Sequence, residues 1–459
     1  MRDPQILHQE YPYSFTLSLD DSDTPWGGCT THLATILLTG PLQGKVILAD
    51  YPLLVRLNPT VPRKTRGNAA VVLRGYSRVP PGELAEIAAE AQWSYVEERP
   101  PGKLPGIAVY PGADPWRDPR LRYLYKRALA DYVPASMARR LAVKAGAQLA
   151  GGSGVVGAAA SLAALAPWDP YTYELIAYRA PENMDKPRCV RRDPRLEKTV
   201  PPCGNANTDL YNGVVAAAPG GPDPVLAGFR GTLPWCLSQY AELLCEEPWA
   251  WTLYRSNQHT GIHTRAASGP PRPYKIVRVK GRVRGTPKLL PKGHVLVDLE
   301  TPWGTLTAAF YRETGPLRDA ARLLGEGDLV EVEAGVVPRL EGPTLAVEAL
   351  TVYEVAERIL RVAPRCPRCG ARMESMGKGK GYRCPRCGLR DPQAKPIVLR
   401  VPRPLRPGRY TGSVSGARHL TRLSWLEPGS GDPRVSGPVE CFSRRGRDPP
   451  PLSTPSPNC

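Results

Sequence analysis

The sequence predicts a multidomain α+β protein that carries a β-barrel and a zinc ribbon in its C-terminal part. Three observations support this fold class. Apolar runs of strand length alternate with helical segments in the first part of the chain. Five closely spaced strand candidates follow, and two Cys-x-x-Cys pairs come after them. The 459 residues suffice for three or four domains, and a hydrophobic content of 42% permits well-formed cores.

An acidic loop follows the first predicted strand, Tyr13 to Leu19. It contains Asp20, Asp21 and Asp23, then a Gly27-Gly28 turn, and it leads into a predicted helix over residues 32–38. Thr30 and Thr31 take the N-capping positions of that helix, and its free N–H groups suit phosphate. Because carboxylates hold magnesium, the loop predicts a metal–phosphate site, although GxxxxGK[ST] is absent. An acidic turn whose side chains only cap the backbone explains this stretch equally well.

A basic loop lies between a strand that begins near Tyr51 and a second strand, Ala69 to Leu73. Its charges and backbone N–H groups suit phosphate oxygens. Solvated loop charges are the competing interpretation, but the acidic loop with bound metal and nucleotide would supply an anionic counterpart. The candidate residues are Arg56, Asn58, Arg63, Lys64, Arg66, Gly67 and Asn68.

Helices are predicted over residues 82–96, 119–132 and 135–146, with Asp118 as the cap of the second. A stretch rich in Gly and Ala follows, and small residues at that density indicate close backbone packing or approach to a ligand. Residues 170–265 have the pattern of a further α+β domain. Within it, Glu174 and Asp209 could pair with a cationic substrate, although the residues alone favour ordinary surface acids for both. We expect no metal at His259 and His263, because Gly261 makes a continuous helix between them unfavourable.

The pattern of residues 273–353 predicts an OB-fold. It contains five strand candidates, and a helical segment, Thr314 to Leu324, lies between the third and the fourth. Such barrels bind single-stranded or looped nucleic acid. A plain five-stranded barrel with another partner is the alternative. The strand candidates are Ile276 to Val283, Val295 to Leu299, Thr305 to Tyr311, Leu329 to Val336 and Leu345 to Tyr353.

The strongest local motif is the pair of Cys-Pro-Arg-Cys-Gly sequences whose inner cysteines are separated by fourteen residues. This spacing predicts a structural Zn²⁺ site with four thiolates and no position left for water or substrate. Redox activity is the weaker alternative, because no thioredoxin-like βαβ context accompanies the pairs. The predicted ligands are Cys366, Cys369, Cys384 and Cys387.

Charge and composition indicate a nucleic-acid partner. The net charge is +18, and between Leu360 and Arg409 there are fourteen Lys or Arg against two acidic residues. No run approaches eighteen apolar residues and no signal pattern is present, so we expect a soluble, cytoplasmic protein with no membrane partner. Reduced thiols are expected for the same reason, although Cys203 and Cys236 could pair. The tail after Gly429 is rich in Pro and Ser, and disorder is expected there.

Several strings together resemble archaeal tRNA(Ile) 2-agmatinylcytidine synthetases. They are the acidic loop from Leu19 to Thr31, the basic loop through Lys64-Thr-Arg-Gly-Asn-Ala-Ala, Tyr171-Thr-Tyr-Glu-Leu-Ile-Ala-Tyr-Arg and Pro224-Val-Leu-Ala-Gly-Phe-Arg-Gly. The resemblance extends from about Tyr13 to Leu420. It implies a kinase-like α/β domain over 1–147, a ferredoxin-like domain over 148–270, an OB-fold over 271–355 and a zinc ribbon with a basic segment over 356–428. The tail over 429–459 has no counterpart in the family and is set apart by its composition alone.

The resemblance also implies an activity. Members of this family attach agmatine to the wobble cytidine of a CAU anticodon in an isoleucine tRNA, so that the tRNA decodes AUA. ATP first phosphorylates the carbonyl at ring position two, and the agmatine amine then displaces the phosphate. Implied catalytic residues are Asp20, Asp21, Asp23 and Thr30, the last as a phosphorylated threonine. Implied ATP and phosphate ligands, with Mg²⁺, are Gly27, Gly28, Thr31, Arg56, Lys64, Arg66, Gly67 and Asn68.

Two departures from the family pattern stand out. The family's Asp-Asp-Thr-Asp-Ser is Asp20-Asp-Ser-Asp-Thr24 here, which keeps both hydroxyls. Pro222-Asp-Pro replaces a Cys or similar small residue before the Pro-Val-Leu string, so the agmatine contacts of that loop are open. We expect agmatine contacts at Glu174 and Asp209 and a monomeric protein.

Two other functions remain open at this point. A non-catalytic RNA or single-stranded DNA binding protein would explain residues 273–409 but would leave the acidic and basic loops without a role. A protein or small-molecule kinase would use the acidic loop for phosphoryl transfer that needs no RNA. Turnover of ATP, and its dependence on RNA, separates the three.

Overall fold

The computed structural model describes residues 9–24, 27–62, 64, 67–96, 104–193, 204, 206–431 and 442–444. Its N-terminal part is an α/β unit in which helices cover both faces of a sheet. Its strands are β1 (Tyr13–Asp20), β2 (Val46–Leu48), β3 (Leu53–Arg56), β4 (Ala69–Ser77), β5 (Gly106–Tyr110) and β6 (Gln148–Gly151). Its helices are α1 (Thr30–Thr39), α2 (Pro81–Tyr95), α3 (Pro119–Ala130), α4 (Ala135–Lys144) and α5 (Val155–Ser161).

The strand β1 is buried on both faces, which its alternating sequence does not indicate by itself. Phe15, Leu17 and Leu19 pack with residues of α1 and α2, whereas Thr16 and Ser18 on the opposite face are also fully buried. The other face of the sheet packs against α3, α4 and α5. The end of β1, where the acidic loop begins, therefore lies between two helical layers.

The second part of the chain extends this same sheet. Its strands are β7 (Thr172–Tyr178), β8 (Thr208–Asp209), β9 (Val214–Val215), β10 (Val225–Gly231) and β11 (Ala250–Ser256), with the short helix α6 (Pro234–Leu237) and 3₁₀ turns at Pro181–Asn183 and Ser238–Leu243. β11 pairs in parallel with β3, which gives the order β10-β7-β11-β3-β4-β1-β5-β6. The predicted boundary between residues 147 and 148 falls inside this sheet, because β6 pairs with β5.

A closed five-stranded barrel follows. Its strands are β12 (Ile276–Leu289), β13 (Val295–Thr301), β14 (Gly304–Phe310), β15 (Leu329–Val337) and β16 (Thr344–Glu354), and α7 (Pro316–Arg322) lies between β14 and β15. The sheet order is β14-β13-β12-β15-β16, and β14 also pairs with β16, which closes the barrel. The five predicted strands and the position of the predicted helix are confirmed. The pattern was informative because alternating apolar residues of each strand point into one core.

The remaining strands form an arm, a small three-stranded sheet and two additions to larger sheets. They are β17 (Arg358–Val362), β18 (Glu374–Ser375), β19 (Tyr382–Arg383), β20 (Arg390–Asp391), β21 (Ile397–Val401), β22 (Gly408–Thr411) and β23 (Phe442–Arg444). β17 and β21 pair as an arm that leads to and from the cysteine pairs, and β22 adds to β16. The disorder expected after Gly429 does not extend to β23, which pairs with β11.

The expectation of reduced thiols is corrected. Cys189 and Cys245 form a disulfide across 56 residues of sequence, so the thiols of this part are not all reduced. Cys236 is also disulfide-bonded, whereas Cys203, its predicted partner, lies outside the described residues. The segment 234–244 continues as a 3₁₀ turn after α6. None of the helices in the described ranges combines the length and the apolar composition of a membrane span.

Candidate active site

A cavity of about 600 Å³ opens where the acidic loop, the basic loop and the second part of the sheet meet. Three separate regions of the chain therefore supply its wall. The N-terminal unit contributes Asp23, Gly28, Cys29, Thr30, Thr31, Leu54, Arg56, Gly67 and Ala69. The second part contributes Glu174, Ile176, residues 216–221, Asp223, Val225, Gly228 and Arg230, and the C-terminal part contributes His419.

The start of α1 is capped by Asp23 and not by the two threonines. The cap position belongs to Cys29, whose side chain makes no capping hydrogen bond, and the helix begins at Thr30. The carboxylate of Asp23 accepts the backbone N–H of Thr30 at 3.2 Å and lies 3.5 Å from its hydroxyl. The predicted capping role of Thr30 and Thr31 is thus wrong, because the acidic loop folds back over the helix start. The Thr30 hydroxyl is left beside a carboxylate at the cavity wall.

Helix α2 holds the acidic loop in this position. Gln92 donates to the backbone carbonyl of Asp20 at 3.0 Å and to the hydroxyl of Ser22 at 2.9 Å. One turn later, the hydroxyl of Tyr95 accepts the backbone N–H of Cys29 at 3.0 Å. Burial raises the pKa of the Cys29 thiol to about 12, so this thiol stays protonated at the cavity wall.

The three acids of the loop have different surroundings. Asp23 lines the cavity, but Asp20 is buried against α5, where a Cβ at Gly157 would lie 1.7 Å from its Oδ2. Burial, and then the charge of Asp21, raises the pKa of Asp20 well above its usual value. Asp21 adopts a left-handed backbone conformation with φ of 57°. Of the three acids only Asp23 lines the cavity, and the three carboxylates do not converge on one point. A carboxylate at the cavity wall fits the predicted Mg²⁺ by donor chemistry.

The basic loop reaches the cavity at only some of its predicted positions. Arg56 and Gly67 line the wall, and Arg56 donates to the carbonyl of Gly67 at 3.4 Å. Asn68 serves the loop itself, because its amide donates to the carbonyl of Asn58 at 2.8 Å. Lys64 is described but does not line the cavity, and Arg63 and Arg66 lie outside the described residues. Gly27 lies in the turn that bridges to Thr24.

A buried charge cluster forms the cavity wall opposite the loops. Glu174 on β7 accepts a hydrogen bond from Arg230 on β10 at 3.2 Å, lies 3.9 Å from Arg56 and accepts the amide of Gln258. Burial opposes the ionised form of Glu174, but the two arginines outweigh it and hold its pKa below the usual value. A Cβ at Gly228 would lie 2.4 Å from this carboxylate, so glycine is required there. The Glu174 charge is therefore already compensated inside the protein.

Asp209, the second predicted agmatine carboxylate, lies at a different cavity. Its carboxylate accepts backbone N–H groups of Tyr211 and Asn212 at 3.1 and 3.0 Å, and that of Ser415 at 3.1 Å. It lines a separate space between the second part and the barrel. The structure therefore does not bring Asp209 to Glu174, because the turn after β8 directs the Asp209 carboxylate toward Ser415.

Sequence reasoning connected the Pro222-Asp-Pro loop with agmatine but did not predict residues 216–221 or the Asp223 side chain as a wall of the cavity. Asp223 lies there, with its carboxylate 3.6 Å from Arg188, and its charge contributes to the raised pKa of Cys29. The sequence features that pointed to this wall were the unusual Pro222-Asp-Pro loop and the family-like string that starts at Pro224. No local pattern indicated that His419 would reach this site.

The four cysteines of the two Cys-x-x-Cys pairs come together as predicted. Their sulfur atoms all lie within 4.8 Å of one another, with Cys366 and Cys387 at 3.6 Å and Cys369 and Cys384 at 3.4 Å. Among the described residues, this is the group whose ligand atoms converge closely enough for a metal ion. Four convergent sulfurs suit tetrahedral zinc.

Family models match three stretches of the chain. They are described as the TiaS TCKD domain, at residues 16–103, the TiaS FLD domain, at residues 152–263, and the TiaS C-terminal zinc ribbon domain, at residues 363–405. The matches include both loops of the cavity, its second wall and the cysteine cluster.

Relatives that match most of the chain agree with these models. A 2-agmatinylcytidine synthetase, TiaS, that acts on an isoleucine tRNA in Acidilobus saccharovorans is 50% identical over 411 residues, which cover 88% of this chain and 93% of the relative. A crystal structure of TiaS in complex with an isoleucine tRNA and ATP is 28% identical, with a TM-score of 0.80 and coverage of 90% and 99%. A complex of TiaS with an isoleucine tRNA, AMPCPP and agmatine is 26% identical, with a TM-score of 0.76 and the same coverage.

Proposed function

The chain belongs to the family of 2-agmatinylcytidine synthetases that act on an isoleucine tRNA, and we propose how its cavity performs the chemistry of that family. The chain uses ATP to join agmatine to the wobble cytidine of the CAU anticodon of this tRNA. The relatives and their complexes do not favour a non-catalytic binding protein. The observation that carries the proposal is the single cavity that unites the acidic loop, the basic loop and a second carboxylate wall.

The phosphoryl-transfer side of the cavity is formed by the acidic and basic loops. In the proposal, Asp23 at the cavity wall, with the neighbouring acids of its loop, would hold Mg²⁺. It would neutralise charge on the transferring phosphoryl group. The hydroxyl of Thr30, 3.5 Å from Asp23, is placed to be the phosphorylated threonine of the family. Gly28 and Thr31 offer the helix start, and Arg56 offers a cation.

The agmatine side of the cavity is formed by the second part of the sheet. Asp23, Glu174 and Asp223 are the carboxylates of its described wall. Glu174 already pairs with two arginines, and Asp23 belongs to the loop that would hold Mg²⁺. We therefore assign the guanidinium of agmatine to Asp223, the remaining carboxylate of this described wall. Glu174 then acts by positioning Arg56 and Arg230 at the cavity wall.

The C-terminal parts of the chain supply RNA contacts in this proposal. The barrel has the strand order and the intervening helix expected of an OB-fold, a fold that binds looped nucleic acid. The four cysteines hold a structural Zn²⁺ in a ribbon that carries Lys378, Lys380, Arg383 and Arg386, and we propose that this ribbon contacts the acceptor stem. The other domain limits and the monomeric state remain part of the proposal, whereas residues 148–151 belong with the sheet of the N-terminal unit.

The direct test is an incubation of the purified chain with ATP, Mg²⁺, agmatine and a transcript of the isoleucine tRNA that carries CAU, followed by digestion and mass spectrometry of the nucleosides. The proposal expects an agmatine-adducted cytidine that is absent without ATP and absent in Thr30→Ala. Tight tRNA binding without an adduct and without ATP consumption would instead support the binding-protein alternative. ATP consumption that is independent of tRNA would support a kinase.

A further inference from the structure

The segment that follows the zinc ribbon, residues 412–429, returns to the catalytic part of the protein. We refer to it as the C-terminal segment. The carbonyl of His419 accepts the backbone N–H of His259 at 2.6 Å, and the carbonyl of Leu420 accepts that of Gly261 at 2.9 Å. Leu420 is buried in the core beneath the large sheet, and Gly429 pairs with Tyr171. The backbone of this segment is therefore fixed at His419 and on its C-terminal side.

This anchoring directs the side chain of His419 into the reaction cavity. The imidazole lines the cavity beside the basic loop, where a Cβ at Gly67 would lie 3.4 Å from its Cδ2. It is half-buried, and no described residue forms a hydrogen bond with either ring nitrogen. A backbone fixed by hydrogen bonds thus presents an imidazole whose nitrogens are available to a substrate.

The other ionisable groups of the described cavity wall are poor proton acceptors. Arg56 and Arg230 carry no acceptor, and the Cys29 thiol stays protonated. Glu174 is held by both arginines, Asp23 caps Thr30 and Asp223 contacts Arg188. His419 differs from them because its ring nitrogens have no described partner, and the charge of Arg56, and then burial, lowers its pKa well below the usual value. The imidazole is therefore neutral at physiological pH, and Arg230, Lys64 and His259 act in the same direction.

We propose that His419 accepts the proton that the primary amine of agmatine loses as it attacks the activated cytidine. The inference rests on the two-step reaction of the proposed function. The neutral form of the amine attacks: its lone pair forms the bond to C2, and the bond between C2 and the phosphorylated oxygen breaks, with its electron pair leaving on the phosphate. One amine proton passes to a ring nitrogen of His419. A weak base suffices, because the attacking nitrogen becomes strongly acidic as its new bond forms.

The cations around His419 then favour release of the proton that it has accepted. An imidazolium beside Arg56, Arg230 and Lys64 is unfavourable, so it gives the proton to the departing phosphate or to solvent. The phosphoryl-transfer step before it does not need this proton acceptor. His419 is thus assigned to the second step alone, and this assignment separates the proposal from a general structural role of the C-terminal segment.

The test compares the two steps in His419→Ala and His419→Asn, with Glu427→Ala as a control on an exposed residue of the same segment. ATP-dependent phosphorylation without agmatine is measured first, and single-turnover agmatine conjugation second. We expect conjugation to fall by about 100-fold or more while phosphorylation, tRNA affinity and the KM of agmatine stay within about threefold. Added imidazole should partly restore conjugation in His419→Ala, which a structural role would not allow.

Three results would overturn the inference. They are conjugation in His419→Ala within about threefold of the wild type, a parallel loss of phosphorylation and conjugation, and a complete lack of rescue at imidazole concentrations that leave the control variant fully active. If the wild-type chain forms no adduct at all, the proposed function fails instead. If His419→Ala or His419→Asn has a lowered melting temperature, His419→Gln replaces it. The same comparison of phosphorylation with conjugation then decides the result.

Discussion

The carboxylate of Asp23 accepts the backbone N–H of Thr30 at 3.2 Å and lies 3.5 Å from the hydroxyl of the same residue. One side chain thus both caps a helix and faces a reaction cavity. The capping role needs an acceptor oxygen, whereas the proposed metal role needs a charge. Because these two requirements differ, a substitution can separate them.

Asp23→Asn should keep the cap and lose the charge. We expect the free energy of unfolding to change by less than about 1 kcal/mol, because the amide oxygen still accepts the Thr30 N–H. Conjugation should fall by about 10- to 100-fold or more through weaker Mg²⁺ binding. The control is Asp118→Asn, which alters the cap of α3 away from the cavity. Equal activity of the two variants in an adduct assay across Mg²⁺ concentrations would argue against a metal role for Asp23.

Gly157→Ala should displace the carboxylate of Asp20. The added Cβ would lie 1.7 Å from Oδ2, and Asp20 cannot move aside easily because it is buried where α5 packs on β1. Overpacking of this kind costs about 1–3 kcal/mol of stability, and ATP-dependent activity should fall with it. Gly269→Ala is the control, since no atom lies within 4 Å of its added Cβ. Thermal melting and the adduct assay measure both effects, and an active, stable Gly157→Ala protein would show that the contact is not needed.

Asp223→Asn tests the assignment of the agmatine guanidinium. The loss of a charged hydrogen bond should raise the KM of agmatine by about 10- to 100-fold, with the KM of ATP unchanged. Asp185→Asn changes an exposed acid of the same part of the chain and should leave both constants unaltered. Steady-state kinetics with varied agmatine provide the measurement. An unchanged KM of agmatine in Asp223→Asn would return the assignment to Glu174.

The surroundings of Glu348 lead us to expect that acid destabilises the junction between the barrel and the C-terminal segment. Burial opposes its charge, but His263, Arg418 and Thr421 outweigh burial and lower its pKa to about 2. A depressed folded-state pKa contributes stability above the unfolded value, and this stability is lost as the pH falls from about 4.3 toward 2.

Glu348→Gln should therefore be less stable than the wild type by about 3 kcal/mol near neutral pH, and the difference should shrink as the pH falls through that window. Denaturant unfolding from pH 7 to pH 2 measures it. Glu427→Gln, an exposed partner of Arg422, should show no such dependence. A difference between Glu348→Gln and wild type that is constant with pH would contradict the assignment.

Removal of zinc should affect tRNA binding more than the catalytic unit. A chelator or Cys366→Ser should unfold the ribbon, because four thiolates hold it and its own apolar cluster is small. We expect one zinc per chain by elemental analysis and weaker tRNA binding after its removal. Lys378→Glu with Lys380→Glu should weaken binding and lower its salt dependence while the zinc stays bound. Unchanged affinity in both cases would exclude the ribbon from RNA contact.

Local features of the chain were readable from the sequence for physical reasons. The cysteine spacing predicted a site that four sulfurs do form, because two short knuckles define the geometry within themselves. The barrel strands were predicted because alternating residues must face one core. Asp118 was identified as a cap because capping acts over only a few residues.

Features that depend on long-range pairing were decided only by the tertiary structure. The register of β7 against β10 points Glu174 at Arg230, and the parallel pairing of β11 with β3 brings this pair to Arg56. Asp209 carries a carboxylate that suits a guanidinium as well as that of Glu174, yet its turn directs it to another cavity. His419 reaches the site because a segment beyond the barrel and the ribbon packs back on the sheet.

The sequence by itself thus determined the family and the four cysteines whose sulfurs converge, since both depend on short spacings. The tertiary structure decided which carboxylates face the cavity, which are already paired and which remote side chain completes its wall. Sheet register, close packing around Gly157 and the path of the C-terminal segment set these contacts. Each of them joins residues that are far apart in the chain, so no local pattern encodes it.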